Sequence, residues 1–168
     1  MTKFEIRAIA MALLNVKKGN ILLDIGAGTG SISIQAALFG ATVYAIEKTL
    51  EGSALIRQNA EKFGVDVHVV QGIAPAAIES LPEFTTCFIG GSGGKLEQII
   101  ETVSARLSVG GILVANFVRL ENFVTCQTLL KTYGFQHLET RLIHTANIDK
   151  LGLMRGQNPV GIASAKKQ

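Results

Sequence analysis

An apolar run that ends on a carboxylate and then turns through alternating glycines leaves a chain few folds to choose from. Residues Leu22 to Ile34 read LLDIGAGTGSISI, with Asp24 near the end of the run and glycines at 26, 28 and 30. Near-continuous apolar runs joined by helical crossovers describe strands buried on both faces, as in a parallel sheet. In an open parallel sheet, ligands bind beyond the carboxyl ends of the strands, where strand order reverses. The glycines stand at such an end, just before a helix that begins near Ser31.

The same alternation continues along the chain. Strands are predicted at 21–25, 42–46, 67–70, 86–89 and 112–116, with helices near 31–39, 50–63, 75–80, 95–107 and 120–133. Two further strands, 135–144 and 159–164, follow the last helix with none between them, so they are expected to pair antiparallel at one edge. Ahead of the sheet, Thr2-Lys3-Phe4-Glu5 fits a capping box, and Ile6, Ile9, Ala10, Leu13 and Leu14 keep helical spacing. The expected architecture is α/β: one domain over 1–168, with an N-terminal helix at about 2–16 and a mostly parallel sheet covered on both faces.

Composition narrows the function classes. Apolar residues make up 48% and charged residues 17%, which describes a packed core and not a disordered chain. A net charge of +3 is too weak to argue for nucleic acid. Its distribution is uneven: residues 1–118 carry nine Lys/Arg against ten Asp/Glu, and residues 119–168 carry seven against three. That basic C-terminal stretch suits an acidic substrate as well as a plain solvated surface. Cys87 and Cys126 sit in apolar runs with no CxxC motif and read as small buried hydrophobes. His68, His137 and His144 have no ligand-spaced partners, so no metal site is expected; His144, with Asn147 nearby, is a candidate proton donor. The apolar stretch after Lys3 and Arg7 lacks a cleavage site, and no run reaches membrane-spanning length, so a cytoplasmic protein with no membrane partner is expected.

The glycine spacing separates two nucleoside cofactors. The dinucleotide fingerprint, G-x-G-x-x-G, would need its last glycine at position 31, where this chain has Ser31. S-adenosylmethionine carries no phosphate but has a zwitterionic amino-acid tail. An aspartate two residues before the first glycine suits its ammonium group, so Asp24, Gly26, Ala27, Gly28, Thr29 and Gly30 favour the methyl donor over a nicotinamide. Glu47 ends the second strand, where a carboxylate accepts hydrogen bonds from ribose hydroxyls of either cofactor. Ile73 and Ala74, at the end of the third strand, are positioned to flank an adenine. After the fourth strand comes FIGGSGG. Gly90, Gly91, Ser92 and Gly93 offer only backbone and one hydroxyl, a floor that would admit a large flat substrate.

These segments together resemble the cobalamin-pathway methyltransferases that methylate C15 of precorrin-6B or its cobalt form and also decarboxylate it. The matching stretches are TKFEIRA, DIGAGTGSISI, VYAIEK, LIRQNAEKFGV, GIAPAAI, FIGGSGGKLEQII, LSVGGILVANFV and MRGQNPV, in order over nearly the whole chain. The resemblance implies a seven-stranded class I (Rossmann-like) methyltransferase fold, S-adenosyl-L-methionine as cofactor, a tetrapyrrole substrate and a homotetramer. It also implies cofactor contacts at Thr2, the loop Gly26 to Gly30, Glu47 and Ala74. Relatives commonly carry residues before the threonine motif, so a lid from that segment would be shorter or absent here. In some organisms this activity is fused to a C5-methyltransferase, which here would be a separate protein. No catalytic acid or base is identified. The substrate's acid side chains call for cationic partners, and Arg7, Arg119, Arg141 and Arg155 are the candidates. On the residues alone, a methyltransferase for another large planar or nucleic-acid substrate, or a non-catalytic S-adenosylmethionine-binding module, stays open.

Overall fold

A computed structural model describes residues 3–168 of the chain. Helix α1, Phe4–Leu14, places Ile6, Ala10, Met11 and Leu14 on one buried face and stops at Asn15, which is left-handed. Its N-cap is Lys3, with no side-chain cap, one residue later than the capping box at Thr2 predicts. Thr2 itself lies outside the described residues. After α1 come β1 (Ile21–Ile25), α2 (Ser31–Leu38), β2 (Thr42–Glu47) and α3 (Leu50–Phe63). Thr49 caps α3 by accepting the Gly52 N–H at 3.1 Å, and Gly64 ends it in the left-handed region that glycine tolerates.

Strand β3 is His68–Gln71 and β4 is Phe84–Ile89. Between them the expected helix at 75–80 reduces to a single 3-10 turn, Ala76–Ile78, with Ile78 as its buried anchor. Helix α4, Leu96–Arg106, runs directly into β5, Leu107–Phe117; helix α5 spans Leu120–Thr132, and β6 spans Phe135–Ile143. A short ribbon, β7 (Ala146–Ile148) and β8 (Met154–Gly156), precedes the last strand, β9 (Val160–Lys167).

Seven strands form one sheet in the order β3-β2-β1-β4-β5-β9-β6. The first five are parallel, and β9 runs antiparallel to both β5 and β6. The mostly parallel, seven-stranded sheet is the one expected. The two late strands do pair antiparallel, but β9 inserts between β5 and β6, so only β6 forms the edge. The ribbon had no sequence expectation: its strands are three residues each, too short for alternation to register. It is held at the turn by the Asp149 side chain, which accepts the N–H groups of Leu151 and Leu153.

Alternation along the strands feeds two cores. Leu22, Val43, Phe88, Val114 and Ile162 face α1 and α2, while Leu23, Ile25, Cys87, Leu113 and Ala115 pack on the opposite side with α4 and α5 residues such as Ile99, Val103, Cys126 and Leu130. Both cysteines are free and buried, as their apolar surroundings in sequence imply. Strand order reverses between β1 and β4, so the cleft beyond their carboxyl ends is the topological switch point. No helix among the described residues is long and apolar enough to cross a membrane.

Candidate active site

The two glycine segments meet at this switch point. The N–H groups of Gly26 and Ala27 both donate to the Ile46 carbonyl, at 3.0 and 3.1 Å. Those of Gly90 and Gly91 donate to Ile25, at 2.9 and 3.3 Å. Three strand ends are thereby tied together by backbone alone. Gly26 lies so close to the second segment that a Cβ there would stand 2.7 Å from the Gly91 carbonyl oxygen. At Gly28 the same construction meets nothing within 4 Å, which leaves bare backbone facing open space.

Asp24 sits beneath this loop, 1% exposed. Its Oδ2 accepts the Ser33 hydroxyl at 2.5 Å, whereas Oδ1 is sealed from solvent and has no partner among the described residues. Burial pushes the carboxyl up to about 6, opposed by the Ser33 hydrogen bonds and aided slightly by the charge of Glu47. Glu47 is shaped in the opposite direction. Burial raises its pKa, but the N–H groups of Thr49 and Gly28, the Thr49 hydroxyl and the Lys48 N–H together outweigh burial and hold it below the ordinary glutamate range. Oε2 accepts Gly28 N–H at 3.0 Å, and Oε1 accepts both Thr49 groups at 3.0 Å. Gly52 in α3 is small for this reason: a Cβ there would meet the Glu47 Cγ at 2.6 Å.

Two cavities open on either side of Gly26. The smaller, about 210 Å³, is lined by Glu47, Lys48, Ile73, Ala74 and the Gly91-Ser92-Gly93 backbone. The larger, about 420 Å³, is lined by Asp24, Gly28, Thr29, Phe88 and Gly90, and continues to Asn116, Phe117 and Asn158, with Lys3 and Ile6 from α1. The expected nucleoside residues Glu47, Ile73 and Ala74 therefore share one cavity, and the expected tail residues Asp24, Ala27, Gly28 and Thr29 share the next. Gly30 caps α2 and packs against Ile56 instead of lining either. Of the segment expected to floor the substrate, only Gly90 faces the larger cavity; Gly91, Ser92 and Gly93 wall the smaller one.

The arginines lie elsewhere. Arg7 stacks over the Phe4 ring at 5.8 Å and lines a separate hollow between α2 and α3. Arg119 pairs with Glu121 at 3.4 Å on the surface, Arg155 donates to Asp149 at 2.9 Å within the ribbon, and Arg141 pairs with Glu139. Sequence reasoning passed over Lys3, Asn116 and Asn158. Asn116 carries the signal that found Asp24 and Glu47, a polar residue near the carboxyl end of a core strand. Asn158 lies in the matched stretch MRGQNPV, but its place at the cleft depends on β9 inserting beside β5. Among the described residues, no group of three or more His, Cys, Asp or Glu side chains is placed to hold a metal.

The sheet order and the cleft at its switch point define a class I methyltransferase, the fold shared with solved methyltransferases. The precorrin methyltransferase domain family matches residues 1–167, and the chain belongs to it. It is 39% identical to a Saccharolobus solfataricus protein named "Probable cobalt-precorrin-6B C(15)-methyltransferase (decarboxylating)", over 99% of this chain and 88% of that one. It is 32% identical to the Salmonella typhimurium cobalt-precorrin-6B C(15)-methyltransferase (decarboxylating), over 100% and 90%. The crystal structure of precorrin-6Y C5,15-methyltransferase from Geobacter metallireducens superposes with a TM-score of 0.95 at 33% identity, covering 99% of this chain and 90% of that one. Membership implies S-adenosylmethionine as methyl donor. The site fits it: among the described residues one buried oxygen of the Asp24 carboxylate has no partner, and the glycine backbone leaves open space at Gly28.

Proposed function

We propose that the chain methylates C15 of a cobalt-precorrin-6B or precorrin-6B tetrapyrrole and removes the carboxyl group of its C12 acetate. The observation that carries this reading is the family match over residues 1–167, supported by the divided cleft, with one cavity beside Glu47, Ile73 and Ala74 and a larger one above Asp24. S-adenosylmethionine, when bound, supplies an electrophilic methyl group. Ile73 and Ala74 flank its adenine, Glu47 accepts from its ribose, and the Asp24 carboxylate offers its charge to the ammonium group. Phe88, Phe117 and Ile6 line the larger cavity with apolar surface. The conjugated macrocycle supplies its own carbon nucleophile, so alignment and dryness are what the chain must provide. The homotetramer implied by the resemblance is supported by the apolar hollow of Leu38, Phe39, Leu55 and Phe63 on the surface of α2 and α3.

The test is mass spectrometry of precorrin-6B, with and without cobalt, after incubation with the protein and methyl-labelled S-adenosylmethionine. The expected product gains one labelled methyl and loses one carbon dioxide. Unchanged substrate, with S-adenosylhomocysteine still bound, would remove the tetrapyrrole and leave the cofactor assignment standing. Glu47→Gln is expected to weaken S-adenosylhomocysteine binding about tenfold by calorimetry, because the amide NH₂ would oppose an N–H donor of Gly28 or Thr49.

A further inference from the structure

The arginines that the substrate's acid groups called for are held by the chain's own carboxylates or sit outside the cleft. The larger cavity nevertheless has polar groups beyond Asp24: the amides of Asn116 and Asn158, with exposed Lys3 at its edge. Asn116 is the unusual one. Its Oδ1 is sealed from solvent and, among the described residues, accepts no hydrogen bond. With the oxygen shut away, the end of the amide available to the cleft is the NH₂, a pair of donors. A buried acceptor left unpaired is costly, and native proteins rarely keep one without a use for the side chain that carries it.

Register places this amide on the same sheet face as Asp24. Asp24 of β1 aligns with Phe88 of β4, Phe88 aligns with Val114 of β5, and Asn116 follows two residues later. Two strand spacings separate β5 from β1, about 10 Å. That leaves room for the methyl donor's tail at Asp24 and a substrate arm at Asn116. The walls between are apolar: Ile6, Ile32, Phe88, Phe117 and Val160.

We infer that Asn116, with Asn158 beside the same cavity, binds the acetate carboxylate that the enzyme removes; this rests on the reading under Proposed function. A neutral donor suits that task better than a guanidinium. It orients the carboxylate while stabilising its charge less than a guanidinium would, and the apolar walls strip its water, which favours the state in which its charge disperses. The bond between the acetate methylene and the carboxylate carbon breaks, and carbon dioxide leaves. The electron pair passes through the exocyclic carbon into the ring's C=N system. A proton from water then converts the methylene to a methyl group and restores the ring.

Two variants test this. Asn116→Leu removes the donor together with the unpaired oxygen, and Asn116→Asp keeps the shape but presents a like charge to the substrate. In both, the rate of decarboxylated product from precorrin-6B is expected to fall about tenfold to a hundredfold, the loss of one hydrogen bond to a charged group. S-adenosylhomocysteine affinity should be unchanged, and Asn116→Leu should melt no lower than the unsubstituted protein. Decarboxylation at the unsubstituted rate in Asn116→Leu would overturn the inference. So would lost S-adenosylhomocysteine binding in both variants, or melting well below the unsubstituted protein in both, since either marks a cofactor-binding or structural role. An unsubstituted protein that binds S-adenosylhomocysteine but leaves precorrin-6B intact would take down the tetrapyrrole reading, and this inference with it.

Discussion

Asp24→Asn is expected to make the free protein more stable at neutral pH and to weaken S-adenosylhomocysteine binding about 100-fold. The two effects have one origin. Burial raises the Asp24 carboxyl to about 6, roughly two units above an unfolded aspartate. The folded state therefore binds the proton more tightly than the unfolded one. Stability falls as pH rises from about 4 to 6 and is level above that, with a full cost of about 3 kcal/mol. Asparagine removes the charge but keeps one unpaired amide end, so a net gain of about 1–2 kcal/mol is expected at pH 7. That corresponds to a melting temperature higher by roughly 2–8 °C at pH 7, a difference that vanishes between about pH 4 and 6 and reverses below pH 4, where the unsubstituted carboxyl is protonated in both states. For binding the sign reverses, because the negative charge of the buried Asp24 carboxylate, beneath the larger cavity, is what draws an ammonium group there. In the unsubstituted protein a proton competes for that site, so affinity should drop about tenfold per unit below pH 6; in Asp24→Asn it should stay flat. Calorimetry between pH 5 and 8, beside thermal melts, reads both. A variant that melts lower at pH 7, or binds as tightly as the original, would sink this account of Asp24.

How much of this was legible in the sequence depends on whether the determinant was local. Asp24, the glycines and Glu47 occupy the ends of strands whose apolar runs are unmistakable, so the switch-point rule finds them without coordinates. Helix α3 was also plain, because Thr49 and Gly64 cap it from neighbouring positions. The rest needed tertiary pairing. Nothing in residues 157–164 says that β9 enters the sheet between β5 and β6, which is what brings Asn158 to the cleft. The division of Gly90 to Gly93 between two cavities follows from how that turn lies on Gly26, again a contact distant in sequence. The arginines failed to reach the cleft for a similar reason. Charge type predicts what they can bind, but Glu139 and Asp149, close by in the chain, already hold two of them. Asn116 was readable in principle, though an asparagine at a strand end stands out only once the strand is known to border the cleft.

Gly26→Ala should destabilise this protein strongly, although it adds a single methyl group. The residue has φ +70, where any side chain is strained, by about 1–2 kcal/mol. Its Cβ would also stand 2.7 Å from the Gly91 oxygen, 2.8 Å from its nitrogen and 2.9 Å from its Cα. Those atoms are backbone and cannot rotate away, and the segment is tied to Ile25 through the Gly90 and Gly91 N–H groups. Relief requires the second glycine segment to lift from the first, which separates the walls of both cavities. Overpacking of this kind costs about 1–3 kcal/mol more, for a total near 2–5 kcal/mol and a melting temperature lower by roughly 5–20 °C. Gly64→Ala supplies the comparison. It carries a similar φ of +63 at the end of α3, but a Cβ there meets nothing within 4 Å. Only the backbone strain should appear, about 1–2 kcal/mol, with S-adenosylhomocysteine affinity untouched. Gly26→Ala should lose that affinity by more than its stability change alone accounts for, measured at a temperature where the variant is folded. Equal effects from the two alanines would mean that conformational freedom, and not contact between the glycine segments, is what the chain requires at Gly26.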